Sequence, residues 1–167
     1  MAPSAEAYMT GFETGTPSVH HYLCSYRFPR TYQAAFPMDA FATYQEGWAP
    51  QVYWIGDNRL DGGAIQTERS KLQYDGIRAL PFQPVAPTYV AAGPWTATGE
   101  QLRLFFARAV VLRCEGVSVW DLPQANTEQL QAIGTFAWPG PPPPPTDPVS
   151  VEIRAPAGKI SVTVTET

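Results

Sequence analysis

Four short runs rich in β-branched and aromatic residues recur along the 167-residue chain and limit the folds open to it. They begin near residues 22, 51, 87 and 117, at spacings of about 30, 36 and 30 residues. A segment that suits a helix follows each run, and this alternation is typical of parallel strands joined by right-handed crossovers. The runs are apolar enough to be covered on both faces, as parallel strands usually are. The sequence therefore predicts an α/β fold with four βα units.

Capping residues in the sequence predict where two of the helices begin and where one of them ends. Thr98 and Gln101 fit a capping box, in which each residue's side chain binds the other's backbone N–H, and an amphipathic segment follows them. We expect Gly116 to end that helix in the left-handed conformation. Asn126 is predicted to cap a last helix over about residues 127–136, with Leu130 facing inward.

Two other helices are predicted from the spacing of apolar residues. The first covers about residues 38–45, and the second covers about residues 64–79. Ile65 and Leu72 are expected to face inward on the second helix, although its middle is polar. A short helix near the N-terminus, over residues 5–12, is also predicted.

The C-terminal part of the chain differs in composition from residues 1–138, which form the predicted main domain. Five consecutive prolines at residues 141–145 predict a semi-rigid polyproline II linker over residues 139–148. Residues 149–167 alternate between apolar and polar around Ala157-Gly158, which predicts a β-hairpin tail. An isolated hairpin is marginal in water, so we expect it to pack on the domain, on another copy or on a partner.

Charge and composition exclude several classes of protein. The net charge is -4, the pI is about 5.1 and the basic residues are scattered, so nucleic acid is not an expected partner. No apolar window approaches the roughly 20 residues needed to span a bilayer, so no membrane partner is expected. The first residues lack the basic and apolar regions of a signal peptide. We expect synthesis in the cytoplasm, with association with a virion or a cell wall as an open alternative.

No cofactor and no metal are expected. Cys24 and Cys114 are too few for a disulfide framework, and they are predicted to be buried free thiols. Neither cysteine has a second cysteine or a histidine at metal-ligand spacing. The loop with Asp57 and Asp61 lacks the later glutamate of a calcium loop.

Short sequence segments in the predicted strands resemble those of a known protein family. The segments SYRFP at residues 25–29, PQVYW at residues 50–54 and GVSVWD at residues 116–121 resemble the later strands of a glycoside-hydrolase-like TIM barrel. Such barrels occur in bacteria and phages and are loosely similar to lysozyme-like muramidases. The resemblance covers residues 20–138 and implies half of a TIM-type barrel, equivalent to its fifth to eighth βα units. A full barrel has about 250 residues, and the half that carries the principal acids of muramidase-like barrels is not in this sequence.

The resemblance places binding residues at the carboxyl ends of the strands, where α/β barrels gather their functional side chains. Aromatic faces stack on sugar rings, while carboxylates and amides bind sugar hydroxyls, so this group predicts a carbohydrate cleft. The alternative is that Tyr53, Trp54 and Trp120 fill the top of the core. The candidate substrate-binding residues are Tyr26, Arg27, Tyr53, Trp54, Tyr89, Trp95 and Trp120.

Two carboxylates are the candidate catalytic residues. Asp121 directly follows the last strand, and Asp57 lies in the loop after the second strand. Glycoside hydrolysis uses two carboxyl groups about 5 to 10 Å apart, a distance that loop position leaves open. The alternatives are a turn or capping role for Asp57 and Asp61, and an ion pair between Asp121 and Arg27.

Two functions follow from these observations. The first is a glycoside-hydrolase-like domain that binds a cell-wall or other polysaccharide, and hydrolyses it if a complementary half-barrel chain completes the site. The second is a non-catalytic structural or interaction module, which forms a homo-oligomer through exposed sheet edges and the hairpin tail.

Overall fold

The computed structural model divides the chain into two compact units, residues 1–137 and residues 138–167. No described helix is both long enough and apolar enough to cross a membrane. The predicted N-terminal helix, the prolines at 141–145, Tyr89 and Trp95 lie outside the described residues, apart from helical residue 7. The structure describes residues 7, 21–32, 36–54, 56–88, 96–139, 149–155 and 158–164.

The first unit contains two short parallel sheets rather than one four-stranded sheet. In the first sheet β1 (Tyr22–Leu23) pairs with β2 (Gly47–Trp48). In the second sheet β3 (Val85–Pro87) pairs with β4 (Ser118–Trp120). The predicted fold class, half of a TIM-type barrel built from four βα units, is therefore wrong for the residues that the structure describes.

The predicted second strand departs most from its expected bounds. Strand β2 ends at Trp48, and among the described residues 51–54 of the predicted strand Gln51 alone forms a bridge. Gln51 pairs in parallel with Tyr26 on one side and with Val85 on the other. The segments of the two sheets are thus aligned side by side, but single bridges replace a continuous ladder between them.

Prolines account for the broken ladder. A proline has no backbone N–H, so it cannot donate to a sheet and is confined to strand ends, edges and bulges. Pro50, Pro81 and Pro84 stand in or beside the strand segments and contribute their carbonyl groups alone. These carbonyls accept hydrogen bonds from the backbone N–H groups of Val85, Trp48 and Ser118, respectively.

The helices lie close to where local signals predict them, with shorter bounds. Both predicted caps are confirmed: the Thr98 and Asn126 side chains accept hydrogen bonds from the backbone N–H groups of Gln101 and Gln129, in complete capping boxes. A short helix that the sequence analysis does not include, α1, follows the first predicted strand. The helices are α1 (Pro29–Tyr32), α2 (Met38–Ala42), α3 (Gly62–Asp75), α4 (Gly99–Val111) and α5 (Thr127–Thr135), and a 3₁₀ turn (Leu122–Gln124) follows β4.

The end of α4 differs from its prediction. Leu112 is the C-cap residue, and Arg113 adopts the left-handed conformation at φ 54°. Gly116, which the sequence assigns to that role, lies beyond this point. A non-glycine residue in this region is uncommon, because its Cβ crowds the backbone.

The inward face of α3 is polar and small rather than apolar. Leu72 is 74% exposed, so its predicted inward position is wrong. Leu130 on α5 is likewise exposed, because Gln129 and Ala132 take the buried positions there. The buried residues of α3 are Gly62, Gly63, Ala64, Gln66, Thr67, Ser70 and Tyr74.

Two hydrophobic clusters hold the first unit together. In one cluster Trp54 packs against Phe105 of α4, with ring centroids 5.3 Å apart. In the other, Trp48 packs against Tyr74 of α3 at 5.0 Å, and Phe82 completes the group. The two clusters therefore fix α3 and α4 against the sheet segments, which determines where the strand ends lie.

In the second unit, β5 (Val149–Ala155) and β6 (Gly158–Val164) pair as antiparallel strands. Their register sets Val151 opposite Val162 and Ile153 opposite Ile160. The register therefore aligns apolar sequence positions with apolar ones along the ribbon.

Candidate functional site

Several of the predicted site residues gather at the carboxyl ends of the parallel segments. Tyr26 is bridged to Gln51, and Gln51 is bridged to Val85, so these segments are neighbours. Trp120 is paired with Pro87 in the second sheet. Adjacent segments in a sheet lie about 4.8 Å apart, which brings these chain ends to one edge. We refer to Tyr26, Arg27, Tyr53, Trp120 and Asp121 as the strand-end group.

The exposed aromatic rings of this group are those of Tyr26 and Trp120. Trp120 is 60% exposed at the end of β4, and Tyr26 is 37% exposed. Tyr53, which lies between these two residues in the sequence, is half-buried. Trp54, in contrast, is only 2% exposed and belongs to the core, so it provides no surface for a ligand.

Gly63 explains how the large Trp54 ring fits beneath α3. A Cβ atom at Gly63 would lie 2.8 Å from Cε3 of Trp54, closer than real Cβ contacts allow. Gly62 has the same relation to Asp57, because its Cβ would lie 2.8 Å from the carboxyl carbon. The glycine pair therefore permits close approach of an indole and a carboxylate to the first turn of α3.

The carboxylate of Asp57 is engaged by neighbouring side chains of the same chain. Its two carboxylate oxygens accept hydrogen bonds from Nε and Nη2 of Arg59, at 2.8 and 2.6 Å, and Gln66 Nε2 donates to it at 3.2 Å. The hydrogen bonds from Arg59 hold the pKa of Asp57 far below its usual range, although partial burial opposes them. A general acid needs a raised pKa, so this environment does not suit Asp57 to that role.

Asp121 lies in the turn after β4 and is bound locally. Gln124 Nε2 donates to Asp121 Oδ2 at 2.8 Å, and the peptide bond between Trp120 and Asp121 is cis. Among the described residues Asp121 forms no ion pair with Arg27 and no hydrogen bond with Asp57. The two candidate catalytic carboxylates thus have separate local partners, and neither contacts the other.

Arg27 packs against aromatic rings instead of a carboxylate. Its guanidinium carbon lies 5.5 Å from the ring centroid of Tyr26 and 5.3 Å from that of Phe28. Its Nε atom is buried and has no hydrogen-bond partner in the described part of the chain. Cation–π contacts therefore hold the guanidinium in place, and its Nε–H group remains available to donate a hydrogen bond.

Other buried polar atoms without a partner lie near the strand ends. Thr88, which follows β3, is fully buried with its Oγ1 atom unpaired, and Trp54 Nε1 is unpaired as well. On the inward face of α3, the side-chain oxygens Ser70 Oγ and Gln66 Oε1 have no hydrogen-bond partner among the described residues. Buried polar atoms are usually paired, so each of these atoms is a donor or acceptor without a partner among the described residues.

A cavity and the two thiols are further features with possible chemistry. A cavity of about 350 Å³ is lined by Asp39, Thr43 and Arg78, but Arg78 already donates to Ala42 O at the end of α2. The described residues contain no group of three or more side chains suited to hold a metal ion. Cys24 is exposed and Cys114 is half-buried, so the prediction of two buried thiols is wrong for Cys24.

No protein-family model, curated protein or solved structure matches the chain.

Three residues of the site region were missed by sequence reasoning. Arg59 stands two residues after Asp57 and is a local signal that a turn-bound carboxylate was present. Arg69 and Phe28 are far apart in the sequence, yet the Arg69 guanidinium lies 5.1 Å from the Phe28 ring centroid. No spacing rule links a residue after a strand with one in the middle of the next long helix.

Proposed function

We propose that this chain is a saccharide-binding module whose contact surface is the strand-end group. The observation that supports it is the exposure of Trp120, since Trp48 and Trp54 are both almost fully buried. A large ring held in water next to a carboxylate offers a stacking face together with a hydrogen-bond acceptor for hydroxyl groups. Ligand sites of this kind combine aromatic faces with a few placed polar groups.

The proposal is for binding without hydrolysis. Glycoside hydrolysis uses a carboxyl group with a raised pKa and a second carboxylate at a short, fixed distance. The lowered pKa of Asp57 and its bidentate contact with Arg59 argue against the first requirement. Binding depends on stacking and hydrogen bonding alone, which Tyr26, Trp120 and Asp121 can supply.

The test is binding of wild-type protein and variants to insoluble polysaccharides, followed by titration with soluble fragments. Trp120→Ala is expected to weaken binding at least tenfold, because aromatic anchors at a site carry a large share of the binding energy. Trp138→Ala removes another exposed indole and is the matched control. Equal loss of binding in the two variants, or no binding by the wild type, would reject the proposal.

A second candidate function is protein–protein interaction through the outer face of α3 and α4. Leu72 and Val111 are strongly exposed near the C-terminal ends of these helices, beyond the ion pair between Arg108 and Glu68. Large exposed apolar side chains on adjacent helices favour an interface. Light scattering on the wild type and on a Leu72→Ser, Val111→Ser double variant tests this, since an oligomer that is unchanged in the double variant contradicts it.

A further inference from the structure

Two arginines share one aromatic ring beside the strand-end group. The guanidinium carbons of Arg27 and Arg69 lie 5.3 and 5.1 Å from the ring centroid of Phe28, which is itself buried. Two like charges held around one ring repel each other, and the repulsion is stronger beside a low-dielectric core than in open water. An anion bound close to the guanidinium groups relieves such repulsion.

The protein supplies no such anion within its described residues. Neither Arg27 nor Arg69 forms an ion pair or a hydrogen bond there. The acidic residues of α3 are already engaged, since Glu68 pairs with Arg108 and Asp75 pairs with Lys71. The chain carries a net charge of -4, yet two cations at this ring have no ionic partner in the described part of the chain.

Unpaired donors in the same region provide an independent observation. Arg27 Nε is buried without a partner, and so is the hydroxyl of Ser70, which is fully buried. Ser70 follows Arg69 on α3 and stands one turn before Tyr74, whose hydroxyl donates to Tyr26 O at 2.7 Å. A buried donor without a partner costs free energy, so a ligand that accepts from it gains binding energy.

We propose that Arg27 and Arg69 form an oxyanion site, and that the saccharide bound by this module is an acidic one. This inference rests on the proposed function and adds the chemical class of its ligand. The Arg27 guanidinium carbon lies 5.5 Å from the Tyr26 ring centroid, so a sugar that contacts the exposed part of Tyr26 brings its charged substituent close to Arg27. Guanidinium groups bind carboxylate, sulfate and phosphate oxygens through paired, charge-assisted hydrogen bonds.

The test compares three polymers: polygalacturonate, which carries carboxylates, dextran sulfate, which carries sulfate esters, and neutral dextran. Binding is measured by isothermal titration, and inorganic sulfate is titrated in parallel. The variants are Arg27→Gln, Arg69→Gln and Arg69→Lys, with Arg103→Gln as control, since Arg103 is a partly exposed arginine paired with Glu100 on α4. Thermal unfolding of each variant establishes that it is folded.

We expect one or both acidic polymers to bind at least tenfold more tightly than neutral dextran. Arg27→Gln and Arg69→Gln are expected to weaken that binding about tenfold each. Arg69→Lys keeps the charge but loses the paired hydrogen bonds, so it is expected to weaken binding less than Arg69→Gln, and Arg103→Gln is expected to retain most of the binding. The polymer that binds identifies the substituent as a carboxylate or as a sulfate ester.

The outcomes separate this inference from the proposed function. Equal binding of acidic and neutral polymers that depends on Trp120 overturns the oxyanion site and leaves the saccharide surface standing. Binding of inorganic sulfate at Arg27 and Arg69 without any polymer binding supports the oxyanion site and rejects the saccharide surface. Equal losses in Arg103→Gln and Arg69→Gln overturn the site, because the effect then reflects net charge alone.

Discussion

At the scale of single residues, close packing around two glycines positions the groups beneath the strand ends. Gly63 faces the Trp54 indole, so an added methyl group must displace a buried ring. We predict that Gly63→Ala destabilises the protein by about 1–3 kcal/mol, measured by urea unfolding. Gly134→Ala is the control: a Cβ there meets no heavy atom within 4 Å among those described, and alanine favours the interior of α5. A stabilised Gly63→Ala would contradict this packing.

The reactivity of the Cys114 thiol gives a second prediction at the scale of single residues. Burial raises the pKa of Cys114 to about 11, with Lys71 opposing the shift and Asp75 adding to it. The thiolate is the reactive form, so the rate of Cys114 modification in a Cys24→Ser background should rise about tenfold per pH unit between pH 7 and 10. Unfolding in denaturant should increase the rate at pH 8 about 100-fold, because the pKa returns toward its ordinary value.

The raised pKa of Cys114 also determines how this thiol changes the stability of the protein with pH. The folded state holds the Cys114 proton more tightly than the unfolded chain does, since its pKa is higher when folded. The contribution to stability is therefore complete below the ordinary pKa of the thiol and is lost as the pH rises toward 11. Equal native and denatured rates of modification at pH 8 would contradict the burial of this thiol.

At the scale of elements, the helix caps are the clearest sequence-encoded features. The Asn126 side chain accepts a hydrogen bond from the Gln129 backbone N–H at 2.9 Å, and Glu128 in the same turn accepts one from Gly99 N at 2.9 Å. The start of α5 thus satisfies its own donors and one donor of α4. We predict that Asn126→Ala costs about 1 kcal/mol in urea unfolding, whereas Asn126→Asp, which keeps the cap, costs much less. An equal cost for both would exclude capping as the cause.

The caps were predictable because their partners lie three residues apart. Thr98 with Gln101 and Asn126 with Gln129 need no knowledge of the rest of the fold. The inward face of α3 was not predictable, because apolar spacing assigns Leu72 to the interior. The structure places Ser70 and Tyr74 there instead, and Tyr74 is bound through its hydroxyl to Tyr26 O.

The sheet was predicted in direction but not in extent. A parallel pairing or a single parallel bridge occurs at or next to the start of each predicted strand, yet the ladder is interrupted where a proline removes a donor, as at Pro50 and Pro84. Hydrophobic runs indicate which segments are buried, but they carry no information about which donors are missing. A half barrel needs continuous ladders between neighbouring strands, and these prolines interrupt them.

At the scale of the whole molecule, charge separates specific from non-specific binding of an acidic polymer. A chain with a net charge of -4 repels polyanions at long range, so attraction depends on the local pair Arg27 and Arg69. We predict that the binding of an acidic saccharide weakens as salt increases from 20 to about 200 mM, because screening acts on that pair. Binding that is unaffected by salt would point to stacking alone.

The saccharide surface itself is tested most directly by the indole N–H resonances of the five tryptophans during titration with a saccharide. Trp120 is exposed at the strand ends, whereas Trp48 is fully buried in the core around Tyr74 and Phe82. The saccharide-binding account predicts a saturable shift of the Trp120 resonance with little change at Trp48. A saccharide that binds while the Trp120 resonance stays in place would contradict it.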